Sequence, residues 1–536
     1  MVKNEKVLYV LVILTYKSFF ANDFYLIYFK DKKGTQYTLG NPNSFLSEKS
    51  IDRRRKQKIV IDSSDLPVSS FYVNQIKNLG YEIHGISKWL NAVLVRVPPG
   101  FVPNVDEFFV KHIRPVKRYS THQRLEVNLN TTSSPKQEVL DYGNSKIQLE
   151  MLGVDWLHKK GFYGNGLTIA VLDAGFYKYC EIEAFRHLIE NGKILDTYDF
   201  YTKSKDVCSI NVTHGTSVLS VMAAKLDGQL VGVSHQANYV LYRTEVAEFE
   251  YPVEEVFWVL AAERADSMGV DLINSSLGYT DFDNPEFNYT YQSLNGKTSI
   301  VSFGALMAAR KGILVCNSAG NYGLQPWKYI NTPADTDSIL ACGSVDINRN
   351  KSTFSSFGPT ADGRIKPDVM AMGQGVYYAT VNGGVGIASG TSFASPLICG
   401  LAACLWEENP TMSAQELILA IKKSSTNALE PNNEIGWGIP RYQCFIGKEN
   451  VNQFEAGRIH LFPNPVKSGE TLYLKSDLDL AKKLFTIYDF TGKISYQSHF
   501  KRFSENCYTV AEIMNLSAGI YYLKTEFNFF KKLIVY

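Results

Sequence analysis

Apolar and polar positions along the chain fall into three textures. From about Asn22 to Pro115, apolar runs at Phe24 to Phe29 and Val93 to Val97 surround a helical pattern near Phe71 to Leu79, which predicts a small α+β unit. Ser120 to Pro135 is rich in Ser, Thr, Asn and Gln with almost no apolar periodicity, and reads as a linker. Between about Asp141 and Val451, the runs Thr168 to Leu172, Tyr239 to Tyr242, Val270 to Ser275, Ile313 to Cys316 and Ile339 to Val345 alternate with helical patterns. Those helices are expected at Thr216 to Leu226, Val253 to Met268 and Ser302 to Arg310. Unbroken apolar strands alternating with helices predict a parallel sheet covered on both faces, an α/β unit. After Gly457, period-two strands at Thr471 to Leu474, Leu484 to Tyr488 and Gly519 to Leu523, with a turn at Asp489 to Gly492, predict a small all-β sandwich.

Composition narrows the class. A chain of 536 residues is long enough for about two to four domains, and 45% apolar with 20% charged residues argues against long disordered stretches. Lys and Arg number 55 against 53 Asp and Glu, so no global field draws in nucleic acid or an anionic membrane. Arg53, Arg54 and Arg55 cluster on the first unit, and without a nucleic-acid motif they read as a solvated helix face. Lys3, Lys6, the apolar run Val7 to Leu14 and Ala21 look like an export signal, with a buried first strand as the alternative. No later stretch reaches roughly 18 apolar residues, so no membrane span is expected. Eight cysteines are too few for a disulfide scaffold and no CxxC pair suggests zinc. Cys180 and Cys208, in consecutive polar loops, are candidates to pair, whereas Cys316, Cys342, Cys399 and Cys404 sit in apolar runs as buried thiols.

Three segments set a polar residue at the end of an apolar element. Asp173 closes the strand Ile-Ala-Val-Leu-Asp, where a buried carboxylate needs a hydrogen-bonding partner. His214 opens a helical pattern in Thr-His-Gly-Thr, and Gly215 leaves room for another backbone to approach. Ser392, in Ser-Gly-Thr-Ser-Phe-Ala-Ser-Pro, opens an apolar helix rich in small residues. Singly, these read as a strand-end cap, a structural histidine and an N-cap. As a set they offer a nucleophile at a helix N-terminus, a base for its proton and a carboxylate to orient the base.

Together the segments resemble the subtilisin-like serine proteases (subtilases), whose chain order Asp, His, Ser is the order here. The resemblance covers about 300 residues and implies that Asp173 within VLDAGF orients the base, His214 within HGTS is the general base and Ser392 within GTSFASP is the nucleophile. It further implies that Asn321, after Ser318-Ala319-Gly320, donates to the oxyanion beside the Ser392 backbone N–H. Asn274 to Gly278 would be the edge that pairs with substrate backbone, with Ser276, Leu277, Gly278, Ser318 and Gly320 walling the side-chain pocket. An apolar or aromatic substrate side chain is the family-level expectation. Two departures, Ala174 after the aspartate and Phe393 after the serine, remove no reacting group.

The implied organisation is a signal peptide (1–21), a pro-segment acting as intramolecular inhibitor (22–130), a subtilisin-like catalytic domain (131–453) and a C-terminal β-sandwich (454–536). Pro463-Asn464-Pro465, Gly492-Lys493 and Leu516 to Tyr521 make that sandwich similar to Bacteroidetes type nine secretion sorting domains, implying a secreted or cell-surface protein that engages secretion machinery. A carbohydrate- or protein-binding sandwich is the alternative. The expected function is a secreted serine endopeptidase acting on proteins or peptides through an acyl-enzyme, with no nucleic-acid partner. A catalytically silent surface-binding protein and a peptide ligase using the same triad are the competing readings. No cofactor is required for the chemistry and no metal ligand set is assigned. Subtilases often carry structural Ca²⁺, but no EF-hand-like run is present, and Asp281, Asp283 and Asp362 read as surface acids.

Overall fold

The computed structural model describes residues 22–118, 141–445, 459–476, 478–489, 493–504, 507–512, 516–525 and 530–536. The expected signal peptide, the linker at Ser120 to Pro135 and positions 490–492 of the predicted turn lie outside them.

The first unit is an antiparallel sheet of β1 (Asp23–Phe29), β2 (Glu82–Ser87), β3 (Ala92–Val97) and β4 (Val110–Lys117) in the order β2-β3-β1-β4, with helices α1 (Glu48–Lys56) and α2 (Ser70–Asn78). Successive side chains of a strand point to opposite faces. Tyr25, Ile27, Phe29, Val93 and Val95 accordingly pack beneath Tyr72, Val73 and Ile76 of α2. Phe24, Leu26, Leu94 and Val116 point the other way and join the core of the next unit. Both faces of this sheet are apolar because both are covered, one by a helix and one by the larger unit.

That larger unit is built on a seven-stranded parallel sheet of β5 (Thr168–Asp173), β6 (Ile194–Asp199), β7 (Asn238–Arg243), β8 (Leu272–Ser275), β9 (Leu314–Ser318), β10 (Leu340–Val345) and β11 (Val369–Met372). The order is β11-β10-β9-β8-β5-β7-β6. Ile169 and Val171 face α3 (His214–Ala223) and α6 (Thr391–Glu408), while Ala170 and Leu172 face α4 (Pro252–Met268) and α5 (Ile300–Arg310). From β5 the chain goes out to β6, returns through β7, then crosses to β8 and runs outward the other way. Connections therefore diverge between β5 and β8, opening a crevice at their carboxyl ends.

Helix α4 shows why local sequence builds these pieces. Pro252 opens it, Glu254 returns to accept from the Tyr251 and Val246 N–H groups at 2.8 Å, and Gly269 ends it at φ 86. It is apolar on most of its circumference because the sheet lies on one side and the first unit on the other. The predicted helix at Thr216 to Leu226 stops at Ala223, and Lys225–Leu226 pairs instead with Leu230–Val231.

The arginine cluster of α1 corrects the expectation from sequence. Arg53 and Arg54 are not a solvated face: they are 4% and 1% exposed and reach across to α4. Asp266, fully buried, accepts from Arg53 at 2.5 Å, Arg54 at 2.9 Å and Lys88 at 3.0 Å. Arg54 also meets Asp65 at 2.6 Å, and Lys311 of the central unit meets Asp65 at 2.9 Å. Only Arg55 behaves as expected, in an exposed pair with Asp52.

The last unit places strands Ile459–Phe462, Thr471–Ser476, Cys507–Glu512 and Lys501–Ser504 in one antiparallel sheet, and Ile494–His499, Leu484–Asp489, Gly519–Thr525 and Phe530–Val535 in another. Leu472, Leu474, Phe485, Ile487, Tyr508, Leu523 and Leu533 fill the space between them. Cys180 and Cys208 are bonded, and Cys316, Cys342, Cys399 and Cys404 are free and buried, as expected. A second disulfide, Cys444 to Cys507, joins the last unit to the end of the central one and was not anticipated.

Candidate active site

Asp173 ends β5 with no solvent exposure. Its Oδ1 accepts from the Ala174 N–H at 2.7 Å and lies 2.7 Å from His214 Nδ1. Because a carboxylate can only accept, this contact puts a proton on Nδ1 and leaves Nε2 as the acceptor of the neutral ring. Ala174 brings no side-chain donor, and Asp173 Oδ2 is buried without a hydrogen-bond partner. Arg243 at the end of the neighbouring strand β7 donates to the Ala174 carbonyl at 2.9 Å, holding the turn after the aspartate.

Glycine makes the approach of His214 feasible. A Cβ added at Gly215 would lie 2.5 Å from the Gly175 carbonyl oxygen and 2.9 Å from Asp173 Cβ. The Gly215 N–H donates to that same carbonyl at 2.9 Å. The disulfide Cys180–Cys208 ties the loop leaving Asp173 to the loop entering His214, and the Lys178 and Tyr177 N–H groups donate to Cys208 and Val212 carbonyls alongside it.

Ser392 lies in the first turn of α6, which packs against α3. Three hydrogen bonds stitch this turn to the segment leaving β8. Ser392 Oγ donates to the Ser276 carbonyl at 3.4 Å, Ser276 Oγ donates to the Ser392 carbonyl at 2.9 Å, and Ser395 Oγ donates to Asn274 Oδ1 at 2.9 Å. Asn321 Oδ1 accepts from the Thr391 N–H at 2.9 Å and the Thr391 hydroxyl at 3.0 Å, and the Gly320 N–H donates to that hydroxyl at 3.1 Å. With its oxygen engaged, Asn321 turns its amide N–H₂ toward Gly390. A point one Cβ length from the Gly390 backbone lies 3.6 Å from Asn321 Nδ2 and 3.8 Å from the Ser392 N. Two donors thus border one small space beside the serine, an arrangement suited to an oxyanion.

Sequence reasoning named the triad, Asn321 and the strips beside them, but not Arg243, which holds the turn after Asp173, nor the parts played by Thr391 and Asn331. Thr391 hides inside the serine motif as an ordinary helix residue, yet its hydroxyl holds Asn321. Asn331 belongs to no motif, but its side chain lies between Gly278 and Gly320.

Two groupings among the described residues have metal-like spacing. Cys180, Glu181 and Cys208 is one, but both cysteines are in a disulfide and offer no thiolate. Glu245, Glu250 and Glu254 is the other. Burial, then the charge of Glu250, drives the Glu245 carboxyl well above its usual range, and Tyr279 donates its hydroxyl to it. Glu254 is likewise pushed up by burial, then by Glu245. The donors they meet are the Tyr279 hydroxyl at Glu245 and the Val246 and Tyr251 N–H groups at Glu254. Asp283 accepts from the Glu250 N–H and Asp362 pairs with Arg364.

A model described as "Subtilase family" matches residues 164–438, which is 275 of the 536 residues. Residues 24–133 match a peptidase S8 propeptide domain of Bacteroidota, and residues 460–536 a secretion system C-terminal sorting domain. Subtilisin DY of Bacillus licheniformis is 28% identical over 280 residues, spanning 52% of this chain and 90% of that protein. Subtilisin-like protease SBT6.1 of Arabidopsis thaliana is 26% identical over 276 residues, but the match takes in 50% of this chain and only 24% of the plant protein. Among solved structures, MycP1 from Mycobacterium smegmatis aligns with a TM-score of 0.46 at 19% identity, covering 60% of this chain and 88% of that one.

Proposed function

Because the chain belongs to the subtilase family, we propose that it is a serine endopeptidase in which Ser392 is the nucleophile, His214 the general base and Asp173 the group that orients the base. The observation that carries this reading is the 2.7 Å contact between Asp173 and His214 Nδ1. With Nδ1 carrying the proton, Nε2 is the atom that takes the Ser392 proton as Oγ attacks the peptide carbonyl. The oxyanion then forms in the space bordered by Asn321 Nδ2 and the Ser392 N–H, where one such donor lowers the barrier by about 3 kcal/mol, a figure drawn from subtilisin itself. Nε2–H next protonates the leaving amine, and water repeats the sequence to release the acyl group. Ser276 to Gly278 supplies the edge along which substrate backbone pairs.

The sorting-domain match indicates a secreted or cell-surface protein, and among the described residues no helix is long and apolar enough to cross a membrane. We further propose that residues 22–130 inhibit the enzyme until removed, that 131–453 form the catalytic domain, and that 454–536 direct export after loss of a signal at 1–21. The buried ion pairs between α1 and α4 support the inhibitory role, since they make the first unit an integral cover of the second.

A serine-directed phosphonate is expected to label Ser392 in mature protein, and Ser392→Ala to lose label and peptidase activity together. Full proteolysis in a clean Ser392→Ala preparation would refute the assignment. Cleavage products carrying a labelled amine in place of water-derived carboxylate would favour the ligase reading.

A further inference from the structure

We propose that Arg243 is a positioning residue of the catalytic triad, holding the turn after Asp173 so that its carboxylate stays aimed at His214. This rests on Asp173, His214 and Ser392 acting as that triad. Asp173, Arg243 and Asp199 end the adjacent parallel strands β5, β7 and β6, where Asp173 is in register with Arg243 and Arg243 with Asp199. Residues in register on parallel strands point to the same face, and neighbouring strands lie about 4.8 Å apart. A carboxylate, a guanidinium and a second carboxylate therefore stand in a row across the end of the sheet, on the face where Ile169, Val171, Tyr239 and Leu241 pack toward α3. All three are buried: Asp173 and Asp199 have no exposure and Arg243 is 5% exposed.

The guanidinium spans two acceptors. Its Nη1 donates to Asp199 Oδ2 at 2.9 Å and its Nε donates to the Ala174 carbonyl at 2.9 Å. Asp199 is a fixed anchor, because its carboxylate also accepts from the Tyr201 N–H at 2.9 Å and the Thr202 hydroxyl at 2.6 Å. From Ala174 the constraint reaches the base by two routes. The Ala174 N–H donates to Asp173 Oδ1 at 2.7 Å, the same oxygen that meets His214 Nδ1 at 2.7 Å. The next carbonyl, that of Gly175, accepts from the Gly215 N–H at 2.9 Å and so seats the first turn of α3, which begins with His214.

Asp173 needs this outside hold. Its Oδ2 is buried without a hydrogen-bond partner, and Ala174 brings no hydroxyl to meet it. A buried carboxylate is costly without donors or a compensating cation. The surroundings add to that cost, since Glu245, two residues after Arg243, belongs to the acidic group with Glu250 and Glu254. Burial and then Glu250 raise the Glu245 carboxyl; Asp173 raises it further and Arg243 opposes the rise, so Arg243 and Asp173 share one electrostatic neighbourhood. Arginine suits the place because its planar fork meets two acceptors in fixed directions at once, whereas a lysine ammonium carries the same charge on a flexible stem.

The test compares native mature enzyme with Arg243→Met and Arg243→Lys on a peptide p-nitroanilide, and follows in histidine-labelled protein the NMR resonance of the proton between His214 Nδ1 and Asp173. Arg243→Met is expected to lower kcat at least thirtyfold with KM changed less than twofold, and to weaken that resonance or move it upfield. Arg243→Lys, which keeps the charge and one donor, is expected to recover kcat to within fivefold of native together with the native resonance. Native kcat in Arg243→Met overturns the proposal. A lowered kcat with the resonance unmoved overturns it as well, since the loss then does not pass through the contact between Asp173 and His214. Hydrolysis persisting in Ser392→Ala overturns the underlying triad reading instead, while the resonance still decides whether Arg243 orders the pair. Should Arg243→Met fail to fold, Asp199→Asn/Arg243→Met, which removes both charges of the buried pair, is held to the same outcomes.

Discussion

Replacing Asp266 by Asn should detach the first unit from the central one. Asp266 is wholly buried, and three cations of the first unit converge on it within 2.5 to 3.0 Å. Burial by itself would raise its carboxyl, but Lys88, Arg53 and Arg54 together hold it well below the usual carboxylate range. Removing one partner of a buried ion pair costs about 3–5 kcal/mol, because the remaining charge stays desolvated. Here Arg54 keeps Asp65, and Arg53 keeps the carbonyls of Val270 and Lys311, so the loss belongs at the lower end, about 3 kcal/mol. That equals roughly a hundredfold in affinity. The assay titrates residues 22–118 as an inhibitor against mature enzyme, native or Asp266→Asn, at pH 7.5. Asp52→Asn, which breaks only an exposed pair, serves as control and should leave affinity unchanged. A threefold or smaller change for Asp266→Asn would refute the view that this carboxylate holds the interface.

Acid should weaken the same interface through His84 rather than Asp266. The depressed carboxyl of Asp266 keeps its contribution until the pH falls through its lowered value, below the range of ordinary carboxylates. His84 Nε2 donates to the Phe200 carbonyl at 2.9 Å, and burial, with Lys203 and Arg96 nearby, lowers its pKa to about 4. Its neutral form is favoured in the complex, so the contribution is complete above about pH 6.5 and is lost as pH falls toward 4. Inhibition by residues 22–118 should weaken roughly fiftyfold from pH 7.5 to 4.5, and the weakening should vanish in His84→Asn; a flat profile for native protein counts against it. Gly215→Ala should cut kcat/KM at least a hundredfold, because its methyl meets the Gly175 carbonyl at 2.5 Å and displaces His214 from Asp173; wild-type rates would exclude that tight approach. The Cys180→Ser, Cys208→Ser pair should lower stability by roughly 3–4 kcal/mol for a bridge spanning 28 residues, seen as a reduced thermal midpoint. It should also lower kcat more than it raises KM, since the bridge positions the base and not the substrate.

Much of this molecule was legible in one dimension. Strands such as Ile169 to Leu172 are apolar at every position, and that alone required a sheet with two covered faces. The motifs around Asp173, His214 and Ser392 were legible because their neighbours have local duties. Gly215 must admit a backbone, and Ser395 must reach Asn274. Pairing of Cys180 with Cys208 was suggested by their loops, whereas nothing local linked Cys444 to Cys507, which come from different units.

Other features depended on which surfaces the topology brings together. Three arginines in a row look the same to a sequence whether water or a carboxylate some 210 residues away completes them. Only the packing of α1 against α4 decided that Arg53 and Arg54 are buried while Arg55 is solvated. Asn331 has no distinguishing neighbours, and its place between Gly278 and Gly320 follows from the chain returning there after β9. A sequence therefore determined the elements, their faces and the residues whose local geometry is constrained. Burial of a charge or an amide is a property of the partner surface, which exists only once distant segments have packed, and so it was decided by the tertiary structure.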